Sequence, residues 1–101
     1  MAVPQWMSID VKERMKANKN LQIIDVREPY EYNSGHIPGA KSIPLGQLQH
    51  RHHEIDKNEE AVIVCLSGGR SSSACNFLHS MGYKNIYNLM GGMSGWDGDV
   101  E

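Results

Sequence analysis

Apolar positions follow two alternating rhythms along the chain. Short continuous runs at 21–26 and 61–65, with weaker ones at 41–43 and 84–89, read as strands, the first two buried on both faces. Between them, apolar residues recur at helical spacing. A helix from 8 to about 18 starts with Ser8 as its cap. It turns Val11 and Met15 inward, with Leu21 beyond, and leaves Lys12, Glu13, Arg14 and Lys16 in water. Pro29 suits the first turn of a short helix from 28 to about 33. From 45 to about 52, Leu45, Leu48 and His52 fall on one side. From 71 to 81, Ala74, Leu78 and Met81 line an inner face beside Cys75, and Gly82 stops the helix. Gly35, Pro38 and Gly39 punctuate one loop. Gly91 and Gly92 turn the chain into a last short segment pinned by Trp96, while Trp6 caps the opposite side.

Strands alternating with helices predict an α/β fold, a mostly parallel sheet covered on both faces. Ligands in such sheets sit at the carboxyl ends of the strands. Cys65 ends the most apolar strand, so its position is a functional one.

Composition narrows the field. A chain of 101 residues, 40% hydrophobic, fits one domain spanning 1–101 with a single core. A net charge of −2 gives no reason to expect a nucleic-acid or membrane partner. No apolar stretch approaches the roughly 18 residues of a membrane span. The stretch from Met1 to Trp6 lacks the basic and apolar regions of a leader. A cytoplasmic monomer is expected. In a reducing compartment the two cysteines, Cys65 and Cys75, are not expected to form a structural disulfide.

The run Cys65-Leu66-Ser67-Gly68-Gly69-Arg70-Ser71 carries the chemistry. A free thiol has a pKa of about 8.5 and is a poor nucleophile until it ionises. Three features behind Cys65 favour the thiolate. A helix starting near Ser71 aims its free amides back at the loop. Gly68 and Gly69 let successive N–H groups converge on one anion. Arg70 adds a permanent charge. A Walker A reading fails, because no Gly-Lys-Ser/Thr ending is present.

This loop, as Cys65-x-x-Gly68-x-Arg70-Ser71, resembles the active-site loop of rhodanese-type sulfurtransferases. Two further stretches carry the same resemblance: Ile24-Asp25-Val26-Arg27-Glu28-x-x-Glu31-Tyr32-x-x-Gly35-His36-Ile37-Pro38-Gly39-Ala40, and Asn88-Leu89-x-Gly91-Gly92-x-x-x-Trp96. Together they cover nearly the whole chain in order, at the length of a single-domain member. The resemblance implies a five-stranded, mainly parallel sheet flanked by helices. It implies double displacement, in which Cys65 takes sulfur from a thiosulfate-like anion as a persulfide and yields it to a thiol or protein-thiol acceptor. Leu66, Ser67, Gly68, Gly69, Arg70 and Ser71 would bind the substrate and the persulfide, with Arg70 orienting the loop and attracting anionic donors. No metal and no organic cofactor are implied.

Rival readings differ in testable ways. Phosphatases resembling this fold place five residues between Cys and Arg; only four lie between Cys65 and Arg70, a smaller enclosure suited to sulfur. A persulfide carrier serving a partner enzyme would use the same residues. A catalytically silent domain would be expected to lack the cysteine. Other residues read as structural. Arg27 is expected to pair with Glu31 at i,i+4, with Asp25 tying loops together. His36 is expected to bond backbone. His50, Arg51, His52 and His53 form a wet surface without enough ligands for zinc. Cys75 and Met81 belong to the core, and Met90 and Met93 line the approach to Cys65.

Overall fold

A computed structural model describes residues 3–101; Met1 and Ala2, which begin the stretch read as lacking a leader, lie outside the described residues. Five parallel strands form one sheet: β1 (Gln5–Trp6), β2 (Gln22–Asp25), β3 (Lys41–Ser42), β4 (Ala61–Val64) and β5 (Ile86–Leu89). Their spatial order is β1-β5-β4-β2-β3, so β4 is central. The helices are α1 (Ser8–Ala17), α2 (Pro29–Asn33), α3 (Leu48–Arg51) and α4 (Gly69–Ser80). Single 3-10 turns cover Leu45–Gln47, His52–Glu54 and Gly92–Gly95.

The strands are apolar throughout because both faces are covered. Side chains alternate across the sheet. Ile24, Ile63, Cys65 and Ile86 pack with Leu48 of α3 and with Ala74, Cys75 and Leu78 of α4. Ile23, Val62, Val64 and Leu89 pack on the other face with Val11 of α1 and Tyr32 of α2. Among the described residues, no buried side-chain nitrogen or oxygen lacks a hydrogen-bond partner.

Several local expectations are corrected. Ser8 lies inside α1; the cap is Met7, whose amide donates to Asp10 Oδ2 at 2.8 Å, while Ser8 Oγ donates to Asp97 Oδ1 at 2.6 Å. Met81 is 40% exposed rather than core. The buried stripe of α4 ends at Leu78 because the helix stops at Ser80, and Met81 leaves its axis. Trp6 and Trp96 do not cap opposite sides; both pack on the α1 face. Trp6 belongs to β1, an edge strand absent from the sequence reading, and stacks on Tyr87 at 3.9 Å between centroids.

Arg27 does not pair with Glu31. It precedes α2, so helical i,i+4 spacing does not apply to it. Its guanidinium folds back onto Asp25, Nη2 to Oδ2 at 2.7 Å and Nε to Oδ1 at 2.9 Å, and donates to the Gly35 carbonyl at 2.8 Å. Asp25 also accepts the Arg27 amide at 3.0 Å, so β2, the chain after it and the Gly35 loop are tied at one buried point. Removing one partner of a buried pair strands the other charge. Asp25→Ala is therefore expected to cost about 3–5 kcal/mol of stability in chemical denaturation. Abolished turnover with unaltered melting would contradict this structural role.

Candidate active site

β4 delivers Cys65 to the carboxyl edge of the sheet. Asp25 of β2 aligns with Val64 on one side, and Asn88 of β5 with Ile63 on the other. Cys65 itself is 1% exposed. The chain then rises through Leu66 and Ser67, which are exposed, and reverses at Gly68. Gly68 has φ +108°, a conformation that glycine adopts without strain. Its carbonyl accepts the Ser72 amide at 3.0 Å, so α4 begins at Gly69, two residues earlier than the spacing predicts. Arg70 is thus a first-turn residue of α4 and not part of the loop.

The reversal turns the Gly68 amide onto Cys65 Sγ at 3.0 Å. Ser71 Oγ lies 3.2 Å from the same sulfur, and the amides of Ser67 and Ser71 also favour its charged form. Burial is the largest single influence on the thiol and works against ionisation. The Ser71 hydroxyl and the amides of Ser71, Gly68 and Ser67 together outweigh it, and the Cys65 pKa falls below the ordinary thiol value. Charge is thus stabilised by donors fixed before any substrate arrives.

Sequence reading missed the support behind Ser71. Its Oγ lies between Asn88 Oδ1 and Cys65 Sγ and has one proton to give, donated to Asn88 while Cys65 is a thiol that donates to Ser71, and turned to the sulfur when the thiolate forms; Asn88 Nδ2 donates to Gln5 Oε1 at 2.8 Å and to Ser72 Oγ at 3.2 Å. Asn88 is a buried polar residue inside an apolar strand, which is the signal that marks it. A second support comes from the Gly92–Gly95 turn. The Met93 amide donates to the Cys65 carbonyl at 2.8 Å and the Ser94 amide to the Leu66 carbonyl at 2.9 Å. Gly92 has φ +55°, and a Cβ there would collide with the Cys65 carbonyl oxygen and lie 2.6 Å from the Leu66 carbonyl carbon. Only glycine admits the closing turn this near the loop.

Arg70 reaches away from the sulfur to α2. Its Nη1 and Nη2 donate to Glu31 Oε1 and Oε2 at 2.8 and 3.0 Å. The pairing holds the Glu31 carboxyl down at about 2. Glu31 was the residue expected to hold Arg27; it holds Arg70 across 39 positions of sequence.

The remaining candidates separate from the site. His36 Nδ1 lies 2.9 Å from the Tyr32 carbonyl, with its ring stacked on Tyr32 at 3.7 Å. Cys75 is buried among core residues, and burial, with the nearby Cys65, pushes its thiol up to about 12. His52 turns to the Tyr83 hydroxyl at 3.2 Å, whereas His50 and His53 are exposed. Among the described residues no group of three or more His, Cys, Asp or Glu is placed to hold a metal ion. No helix among them is long and apolar enough to cross a membrane. Met93 packs against the core of the α1 face, while Met90 is exposed beside the closing turn. A groove of about 490 Å³ between α1 and the C-terminal segment is not lined by the Cys65 loop.

The profile of the rhodanese-like domain family matches residues 8–99. The Bacillus subtilis protein YrkF, named for a proposed sulfur-carrier role, is 37% identical over 99% of this chain, which spans 54% of that protein's length. YtwF of the same organism, named for a proposed sulfurtransferase role, is 36% identical and covered almost end to end, at 100% and 97%. The crystal structure of a rhodanese-like domain protein from Staphylococcus aureus superposes with a TM-score of 0.87 at 34% identity, covering 100% of this chain and 97% of the other.

The geometry sets two expectations. Ser71→Ala removes a donor from the thiolate, and a hydrogen bond to a charged group is worth about 1.5–3 kcal/mol. The Cys65 pKa is then expected to rise by about one pH unit, read from the pH dependence of alkylation by iodoacetamide. The Glu31 carboxyl is lowered on folding from 4.5 to about 2. Its pairing with Arg70 therefore contributes stability above pH 4.5 that is lost as pH falls towards 2. The stability difference between the native chain and Glu31→Gln should hold from pH 7 to 5 and shrink across that lower window in urea titrations.

Proposed function

This chain belongs to the rhodanese-like domain family, and from that membership and the surroundings of Cys65 we propose that it moves sulfane sulfur through a persulfide on Cys65. A role in sulfur transfer or sulfur carriage comes with the family and its named relatives. The finer steps are the proposal. The Cys65 thiolate attacks the outer sulfur of a donor, thiosulfate serving as the assay donor. The donor's S–S bond breaks, its remainder leaves with the electron pair, and Cys65 carries the extra sulfur. A thiol or protein-thiol acceptor then attacks that terminal sulfur and restores Cys65.

One observation carries this reading: Sγ at the end of the central strand is met by the Gly68 amide at 3.0 Å and the Ser71 hydroxyl at 3.2 Å, with no imidazole or carboxylate hydrogen-bonded to it among the described residues. That suits a nucleophile ionised by fixed donors and needing no general base. Leu66, Ser67, Gly68 and Gly69 would frame the terminal sulfur. Arg70 would fix the start of α4 through Glu31, and Ser71 would tune the thiolate from behind.

A carrier role rests on the same persulfide and is favoured by the likeness to YrkF. The two readings part on the donor. A free enzyme loads from small donors; a carrier loads faster from a partner desulfurase. Intact-mass spectrometry after incubation with a sulfane donor should show a gain of one sulfur atom, lost in Cys65→Ser and kept in Cys75→Ser. Robust hydrolysis of a phosphate ester with no sulfur on Cys65 would overturn the assignment.

A further inference from the structure

The hydrogen bonds behind Cys65 have a fixed direction, set from the edge of the sheet inward. The Val3 carbonyl can only accept, so Gln5 gives it Nε2 at 3.2 Å and presents Oε1 to its neighbour. β1 pairs with β5 so that Gln5 stands opposite Asn88. Gln5 Oε1 accepts from Asn88 Nδ2 at 2.8 Å, and Ser72 Oγ meets the same nitrogen at 3.2 Å. Asn88 Oδ1 is thereby left facing Ser71. An amide oxygen has no proton to give, so Ser71 must donate to it. The same single proton is what Ser71 can offer to Cys65 Sγ, 3.2 Å away. Asn88 and the sulfur compete for it. Asn88 is 2% exposed, so water does not stand in for the loser.

We propose that Asn88 is a positioning residue that holds the Ser71 proton off Cys65 until the sulfur ionises, and that Gln5 on the edge strand keys the Asn88 amide in the orientation this requires. With Cys65 a thiol, its S–H donates to Ser71 and Ser71 donates to Asn88, so every proton is used. When that S–H proton leaves to solvent, the Ser71 hydroxyl turns to the thiolate and Asn88 Oδ1 is left buried without a donor. The loss penalises the charged form alone. The amides of Gly68, Ser67 and Ser71 still favour the thiolate; Asn88 limits how far ionisation goes. Few other groups bear on that charge. Arg70 and Cys75 reach it from α4, with Arg70 already paired to Glu31. Asp25 of β2 is tied to Arg27, Tyr87 of β5 turns away to stack on Trp6, and residues 90–95 carry no ionisable side chain. The switch belongs to the thiol itself and is the same whatever substrate Cys65 takes.

The test is the pH dependence of iodoacetamide alkylation, read by mass on the peptide that holds Cys65. Asn88→Ala removes the competing oxygen, and the Cys65 pKa should fall by about half to one pH unit. The sign is what decides. A residue that merely props Ser71 in place would, on removal, let the hydroxyl drift from the sulfur, and the pKa would rise. In a Ser71→Ala background there is no proton to compete for, so adding Asn88→Ala should move the pKa by less than about 0.2 unit. Gln5→Ala, at an exposed position, removes the oxygen that keys Nδ2. Asn88 can then turn Nδ2 to Ser71 and Oδ1 to the Ser72 hydroxyl, and the pKa should fall by about 0.3 unit. A raised or unchanged pKa in Asn88→Ala of native circular dichroism overturns the proposal. So does a fall of the same size with and without Ser71. If Asn88→Ala does not fold, Gln5→Ala decides: a lowered pKa supports the switch, and an unchanged or raised one overturns it. If Asn88→Ala folds and lowers the pKa while Gln5→Ala does not, the keying by Gln5 is overturned.

Discussion

The amide of Gly68 points at Cys65 Sγ from 3.0 Å, and the rest of the site exists to keep it there. An amide is a weak partner for a thiolate in water, where solvent competes for both. Behind the edge of a buried sheet it is worth far more, because the sulfur is shielded and the donor cannot turn away. For that amide to face the sulfur the chain must reverse within three residues, which demands the left-handed backbone of Gly68. The reversal in turn sets the first residue of α4, the direction of Arg70 and the position of Ser71. One local conformation thereby fixes the donors to the Cys65 sulfur and the side chains around them.

That conformation is braced from three directions, and each brace comes from a distant part of the sequence. β5 supplies Asn88, which holds the Ser71 hydroxyl. α2 supplies Glu31, which holds Arg70. The last turn supplies the Met93 and Ser94 amides, which hold the carbonyls of Cys65 and Leu66. Charge at the site is balanced pair by pair, Arg27 with Asp25 and Arg70 with Glu31. Stabilisation of the sulfur anion then comes chiefly from the hydroxyl and amide dipoles around it.

Much of this was legible in the residues. A continuous apolar run ending in Cys65, then two glycines, locates a cysteine and an anion-favouring loop at the carboxyl edge of a parallel sheet, and the profile of alternating elements gives the α/β architecture. The illegible parts share a physical cause. β1 is two residues long and owes its existence to pairing with β5, so no periodicity announces it. The partners of Glu31 and Arg70 lie 39 positions apart and only the fold brings them together. Arg27 and Glu31 have helical spacing, but the helix starts after Arg27, so the spacing has no geometric meaning. Met81 continues the apolar stripe of α4 in sequence but not in space, because the helix ends one residue before it.

The closing turn has a consequence in time. Cys65 emerges from synthesis well before Gly92, Met93 and Ser94, whose amides and lack of a side chain complete its loop. While those residues are still being added, the Cys65 and Leu66 carbonyls have no partners and the reversal at Gly68 has no brace. The donors that lower the Cys65 pKa are therefore braced only after residues 92–94 have joined a loop made 27 positions earlier.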